Sequence, residues 1–408
     1  MTRERSIERI ALLLLLPLAG CYETFVVDDP DGSPPPWDAG PSRDSGVFVP
    51  PPGKCLEPSG VDLLFVVDNS NSMAEEQASL AAEIPALVRA LVDPPDEDAD
   101  GNPDWLPIRD LSVGVVTTDM GVGGFTVPTC TDGDFGDDGL LRTEGNTAVD
   151  GCSASYPRFA RYTPGAATPE EVAFDVSCVT QAGLGGCGFE QPLEATLKAL
   201  SPAAPTAATG PGYVPPTFFR GTRGHADGAN AGFVRDDTLL AVVIVTDEED
   251  CSASDPNLFD PTSVTYGATD LNLRCFAHAE SAVHPIERYV AGLTALRARR
   301  PDLLALGLVA GIPTDLALAS PTDADYARIL ADERMAERVD PTMPNRLEPS
   351  CNVPGRGVAF PPRRLVSVAR GLGRGRSSVQ SICQEDFAPA AAAFARLFGR
   401  RACTRFDE

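Results

Sequence analysis

Residues 61–73 read VDLLFVVDNSNSM, an almost unbroken apolar and β-branched run that stops at Asp68, passes through a polar turn and reaches Met73. A run without polar alternation fits a strand covered on both faces of a parallel sheet, not a half-solvated one. Over residues 73–92, Leu80, Ile84, Leu87 and Leu91 return at helical spacing, which predicts an amphipathic helix laid on that sheet. Two more buried strands are predicted at Leu111–Thr117 (LSVGVVT) and 239–246 (LLAVVIVT). Further on, the pattern predicts a helix over 285–298, a strand over 303–309, a helix over 363–371, a strand over 378–383 and an alanine-rich helix over 387–398. This alternation implies an α/β layer architecture. No fixed period repeats along the chain, so solenoids and propellers are excluded.

The chemistry sits at the end of the first strand. Asp68-Asn69-Ser70-Asn71-Ser72 follows the buried run directly, and in open α/β sheets the loops at the strands' carboxyl ends form the binding crevices. Carboxylate and hydroxyl oxygens together suit hard cations such as Mg²⁺. Alone, such a string is equally a polar turn that caps a helix. In this position, FVVDNSNSM resembles the first motif of the metal-ion-dependent adhesion site of von Willebrand factor type A (VWA) domains. The resemblance implies that Ser70 and Ser72 bind a divalent metal through their hydroxyls while Asp68 acts mostly through bound water. A second motif agrees, since LLAVVIVTDEED resembles the family's strand ending in Thr-Asp and thereby assigns Asp247 as the next ligand. Glu248, Glu249 and Asp250 depart from the family's Thr-Asp-Gly; they either add negative charge beside the metal or are merely solvated.

The family's remaining ligand, a Thr in a Gly-rich loop before a helix, has no counterpart in GLGGCGFEQPLEATLKAL, residues 183–200. Glu190 is the candidate to supply an anionic oxygen instead, although an acid at a helix N-terminus also suits the helix dipole alone. If Glu190 binds, the cation is neutralised largely by its own protein, and affinity for an acidic ligand is weakened. Two other acidic strings were weighed. Residues 96–101 (DEDADG) resemble the start of a calcium loop, but position twelve is Pro107 and not Glu; 131–139 (TDGDFGDDG) shares the composition and the weakness. Both default to solvated loops.

The N-terminus speaks of export. Arg3, Arg5 and Arg9 precede an apolar run over 10–20, the layout of a signal peptide and too short for the ~20 apolar residues a spanning helix needs. It ends in Leu18-Ala19-Gly20-Cys21, which resembles the bacterial lipobox, so residues 1–20 are expected to be removed and Cys21 to be lipidated. Acyl chains would then be the membrane attachment, in the cell envelope of a bacterium and at the outer membrane in preference to the inner. Residues 21–54, rich in Pro, Asp, Gly and Ser, read as a disordered tether.

Setting Cys21 aside leaves ten cysteines, at 55, 130, 152, 178, 187, 251, 275, 351, 383 and 403, an even number that suits an oxidising compartment. With no CxxC pair and three His, a structural zinc site has little to be built from, and disulfides are the better account. Connectivity is not fixed by sequence; near neighbours such as Cys178 with Cys187 and Cys251 with Cys275 are the simplest partners, and Cys55 meets Cys403 if the domain's ends lie together. The 33 Lys+Arg against 58 Asp+Glu give a net charge of -25, which argues against nucleic acid as a partner. The nine arginines after residue 360 face four acids and read as solvated helix faces, the alternative being a patch for an acidic partner. Neither GxxxxGK[ST] nor a properly placed GxGxxG is present, which argues against a nucleotide; GxSxG and HExxH are missing too. His278 and His284 read as structural or exposed.

The resulting expectation is one doubly wound α/β domain, VWA- and Rossmann-like, over residues 55–403. Its mostly parallel sheet is flanked by helices, with disulfide-stapled insertions at about 120–188 and 201–237 and a tail over 404–408. Its expected role is not catalytic: it would bind a protein or extracellular polymer through Mg²⁺, or Mn²⁺ or Ca²⁺. The alternative is a structural envelope protein in which the metal only stabilises the fold.

Overall fold

The computed structural model describes residues 60–354 and 357–402. The signal peptide, Cys21, the tether, Cys55, Cys403 and the tail lie outside the described residues. Along the chain run β1 (Val61–Val67), α1 (Ala74–Val92), β2 (Leu111–Thr117), β3 (Phe159–Tyr162), α2 (Pro169–Thr180), α3 (Pro192–Leu200) and β4 (Leu239–Val245). After them come the short helices α4 (Arg274–Ala277) and α5 (Ala279–Ala282), then α6 (Ile286–Ala295), β5 (Leu304–Ala310) and α7 (Asp323–Ala331). The hairpin β6 (Cys351–Val353) and β7 (Gly357–Ala359), α8 (Arg363–Gly371), β8 (Ser377–Ser381) and α9 (Ala388–Arg401) complete the order.

Six strands form one sheet in the order β3-β2-β1-β4-β5-β8, parallel throughout except for the edge strand β3. Strands β1, β2, β4 and β5 are buried at every position, as expected of apolar runs covered on both faces. Alternation along β1 divides the core. Leu63, Phe65 and Val67 face α1, α2 and α9, packing with Ile84, Val88, Val176 and Phe394. Leu64 and Val66 face the opposite side, with Leu193, Leu197, Tyr289, Leu293, Ile329 and Leu365 of α3, α6, α7 and α8. Because β2 lies on one side of β1 and β4 on the other, the chain reverses direction at β1. The crevice outside the carboxyl ends of β1 and β4 is therefore the topological switch point, where open α/β sheets place their ligands.

A third, smaller cluster packs on the loops at this edge: Val122, Val127, Phe189, Leu258, Phe259 and Val283, with Cys187 and Cys251 among them. Among the described residues four disulfides close, Cys130–Cys187, Cys152–Cys178, Cys251–Cys275 and Cys351–Cys383, with Cα atoms 4.1 to 6.2 Å apart. The nearest-neighbour expectation holds for Cys251 with Cys275 and fails for Cys178 with Cys187. Cys178 lies in the last turn of α2, against α1, and bonds Cys152; Cys187 lies in the loop beyond and bonds Cys130.

Two further expectations change. Residues 120–188, expected as a disulfide-stapled insertion on the domain, contain β3 and α2, which join the sheet and one helical layer. The C-terminal arginines are not simply solvated: Arg364 pairs with buried Asp250 (3.0 Å), Arg370 with Asp323 (2.7 Å) and Arg396 with Glu97 (2.6 Å). Their acids come from distant parts of the chain, so local charge counting could not find them. Among the described residues, no helix is long and apolar enough to cross a membrane.

Candidate metal centre

Asp68 ends β1 and is wholly buried. One of its carboxylate oxygens accepts the Ser70 N–H (2.8 Å), the Asx-turn geometry that turns the chain out of the strand. Its other oxygen accepts the hydroxyl of Thr246 (2.6 Å), the residue just past β4, so the two strand ends are joined. Ser70 and Ser72 stand side by side with their hydroxyl oxygens 3.2 Å apart, and the Ser72 side chain lies near enough to the Asp247 carboxylate to oppose the rise in its pKa. Asp68, Ser70, Ser72 and Asp247 thus lie together, from a buried floor at Asp68 to exposed Ser72.

The Gly-rich loop before α3 closes one side. Gly186 donates its N–H to the Asn69 carbonyl (3.0 Å), and a Cβ on Gly186 would fall 2.2 Å from Asn69 Oδ1, so a side chain there would have to displace the Asn69 amide. Buried Gln77 of α1 ties the same two segments, donating to the carbonyls of Asp68 (2.8 Å) and Gly183 (2.9 Å). This loop delivers Glu190, which is buried, and its carbonyl accepts the Cys251 N–H (2.8 Å) from the loop after Asp247.

Of the three acids after Asp247, one belongs to the cluster. Glu249 accepts the Arg364 N–H (2.8 Å), and Asp250 pairs with Arg364 and accepts the Leu193 N–H in the first turn of α3 (3.0 Å). These two are structural. Glu248 is partly buried and feels the charges of Asp247 and Asp68. It is the member that sequence reasoning left open; its place directly after Asp247 was the available signal. Thr246 was missed as the residue that orients Asp68.

The electrostatics are those of crowded carboxylates. Burial first, and the Asp68 charge second, push Asp247 up to about 8. Glu190 is raised well above the carboxylate range by burial and by the charges of Asp68, Glu248 and Asp247, and Glu248 by burial and by those of Asp247 and Asp68. Burial also raises Asp68, against the opposing hydrogen bonds from Thr246 and Ser70. Among the described residues, no arginine, lysine or histidine forms an ion pair with any of the four. Asp247 Oδ1 is buried and has no hydrogen-bond partner. Clustered anionic oxygens, two hydroxyls and an orphaned buried oxygen make a donor set that fits a hard divalent cation.

The carboxylates of this cluster do not converge as tightly as those of an exposed triad elsewhere. Among the described residues, the acids whose oxygens all come within 4.8 Å of one another are Asp96, Asp98 and Asp100. That loop is folded on its own hydrogen bonds, Gly101 N–H to Asp96 (2.9 Å) and Asn102 N–H to Asp100 (2.8 Å), as a solvated turn would be. It is close enough to share a cation and has no buried donor to demand one. The wider spacing at Asp68 and Asp247 leaves room for hydroxyls and water, which Mg²⁺ commonly retains. No family model matches this chain, and no curated protein matches it.

Proposed function

We propose that this chain is a lipid-anchored protein of the bacterial cell envelope, similar to VWA domains. It would bind another protein or a surface polymer through a divalent cation, Mg²⁺ before Mn²⁺ or Ca²⁺. Asp68, Ser70, Ser72 and Asp247 would hold the cation, with Glu190 in place of the family's Thr and Glu248 adding charge. The bound cation would supply an electrophilic position for an oxygen of the ligand; no catalytic step is assigned. The observation that carries the reading is the set of three buried carboxylates and a partly buried fourth at the switch point, none in an ion pair and one with an orphaned oxygen. Anchoring through Cys21 rests on the lipobox resemblance alone.

The test is calorimetric titration of the mature chain with Mg²⁺, Mn²⁺ and Ca²⁺, beside a variant carrying Asp68→Ala and Asp247→Ala. Saturable binding lost in the variant is expected; equal heats from both proteins would refute the centre. The disulfides behind the cluster favour a second reading, in which the cation only fastens the loops. Ser70→Ala with Ser72→Ala separates the two: ligand capture lost with folding intact supports the first, a lowered Tm with capture intact the second.

A further inference from the structure

Beside the carboxylate cluster lies a cavity of about 370 Å³, within the range of small-molecule sites. The two share a chain step, since Glu190 belongs to the cluster and Gln191 lines the cavity. Phenylalanines 218, 219 and 259 provide apolar wall, and Glu194 and His284 line it with Gln191. The rings are held in place: the Arg288 guanidinium lies 5.2 Å from the centroid of Phe218, the Arg220 guanidinium 4.9 Å from that of Phe219, and Phe259 packs at 5.0 Å on Phe189.

Each ionised group of this wall already has its counter-charge. Glu194 is bound by Arg288 (2.8 Å) and accepts the Tyr289 hydroxyl (3.0 Å); Asp138 meets buried Lys198 and lies 3.1 Å from His225 Nε2; Arg220 pairs with Asp134 (2.6 Å). Burial keeps the His284 imidazole in its neutral form near pH 7. A cationic ligand would have to displace Arg288 or Lys198, and an anionic one would face Asp138 and Glu194. What the cavity offers freely is apolar ring surface beside neutral polar groups. That is the chemistry of a sugar ring, whose C–H faces pack on phenyl rings while its hydroxyls exchange hydrogen bonds.

We infer that the cavity is a subsite for one residue of an uncharged glycan. The inference deepens the binding role proposed above and rests on that reading for the ligand's being a polymer.

The test is calorimetry of the mature chain with hexamers of neutral glucose- and N-acetylglucosamine-based saccharides, and with an acidic peptide and polygalacturonate as charged probes, in Mg²⁺ and in EDTA. Two variants address the cavity: Phe219→Ala removes a partly exposed wall, and Ser254→Trp fills the mouth from an exposed position. Saturable binding of a neutral hexamer, weakened about tenfold or more by either variant at unchanged Tm, is expected of an anchoring contact. Binding of only the charged probes, no binding of any neutral hexamer, or neutral binding that both variants leave intact would overturn it. Saccharide binding that survives EDTA and fails in Phe219→Ala would uphold the cavity while refuting the cation's part in holding the ligand. Metal binding without saccharide binding would refute the cavity and leave the metal centre standing.

Discussion

At the scale of single residues, Asp247 shows most plainly what the centre requires. Its value of about 8 stands against an ordinary 3.8, so the metal-free folded protein holds a proton there that the unfolded chain has released. The folded state binds more protons across that window, and stability of the metal-free protein therefore falls as pH rises from about 4 to about 8, then levels. A cation must displace the same proton, so its affinity runs the other way. The apparent Kd for Mg²⁺ is expected to tighten by up to about tenfold per pH unit below pH 8 and to flatten above. Calorimetry at pH 6, 7 and 8, in buffers of differing ionisation enthalpy, counts the protons released; an affinity indifferent to pH would show that Asp247 is not a ligand. Glu248→Gln should weaken cation binding without loss of fold, whereas Glu249→Gln should leave binding intact, because Glu249 is committed to the backbone N–H groups of Arg364 and Asp250.

At the scale of elements, β1 poses one problem at both ends and solves it differently. Asp62 near its start is fully buried and is answered by Arg235 (2.7 Å), the Thr238 hydroxyl (2.5 Å) and Arg297, itself without exposure, at 3.9 Å. Asp68 just past its end is equally buried and has no cationic side chain. Asp62→Ala strands buried Arg297 and is expected to cost about 3 to 5 kcal/mol. Asp68→Ala removes repulsion but leaves the Ser70 N–H and the Thr246 hydroxyl without their acceptor, and is expected to cost the metal-free protein less than Asp62→Ala does. Urea denaturation in EDTA distinguishes them, and equal losses would mean that Asp68 is an ordinary structural acid. The elements legible in the sequence share a cause. Strands β1, β2, β4 and β5 are buried on both faces and so read as apolar runs, while α1, α6, α8 and α9 each press a stripe onto the sheet. What escaped is mostly exposed or short: β3 is four residues at an edge with an open face, and β6 and β7 have three each. Helices α2 and α7 did carry a signal, capping boxes at Thr168–Glu171 and Thr322–Asp325, hidden among the Gly, Pro and Cys around them. Of the centre, the motif residues were legible because they lie adjacent in sequence to buried strands; Thr246 gains its role from its contact with Asp68 across the strands, and Glu248 carried only its place directly after Asp247.

At the scale of the molecule, the disulfides are distributed unequally with respect to the centre. Cys187 lies three residues before Glu190 and is bonded to Cys130; Cys251 lies four after Asp247, is bonded to Cys275, and donates its N–H to Glu190. These two bridges fasten the loops that carry the acids against one another, and their sulfurs pack in the small core above the sheet edge. Cys152–Cys178 instead holds α2 against the loop before it, and Cys351–Cys383 joins the β6–β7 hairpin to the end of β8. Holding buried like charges together costs free energy whenever no cation is bound, and a covalent bridge resists the loop opening that would relieve it. Removing Cys130–Cys187 or Cys152–Cys178 by paired serine substitution should lower stability by about 3 to 4 kcal/mol in either case, from freeing the unfolded chain. Their effects on the centre should differ. Loss of Cys130–Cys187 is expected to weaken Mg²⁺ binding severalfold, because Glu190 no longer waits in place, while loss of Cys152–Cys178 leaves the affinity unchanged. Tm in EDTA and calorimetric Kd on the same two variants decide this, and an equal loss of affinity in both would mean that the bridges act on the fold as a whole and not on the acids they flank.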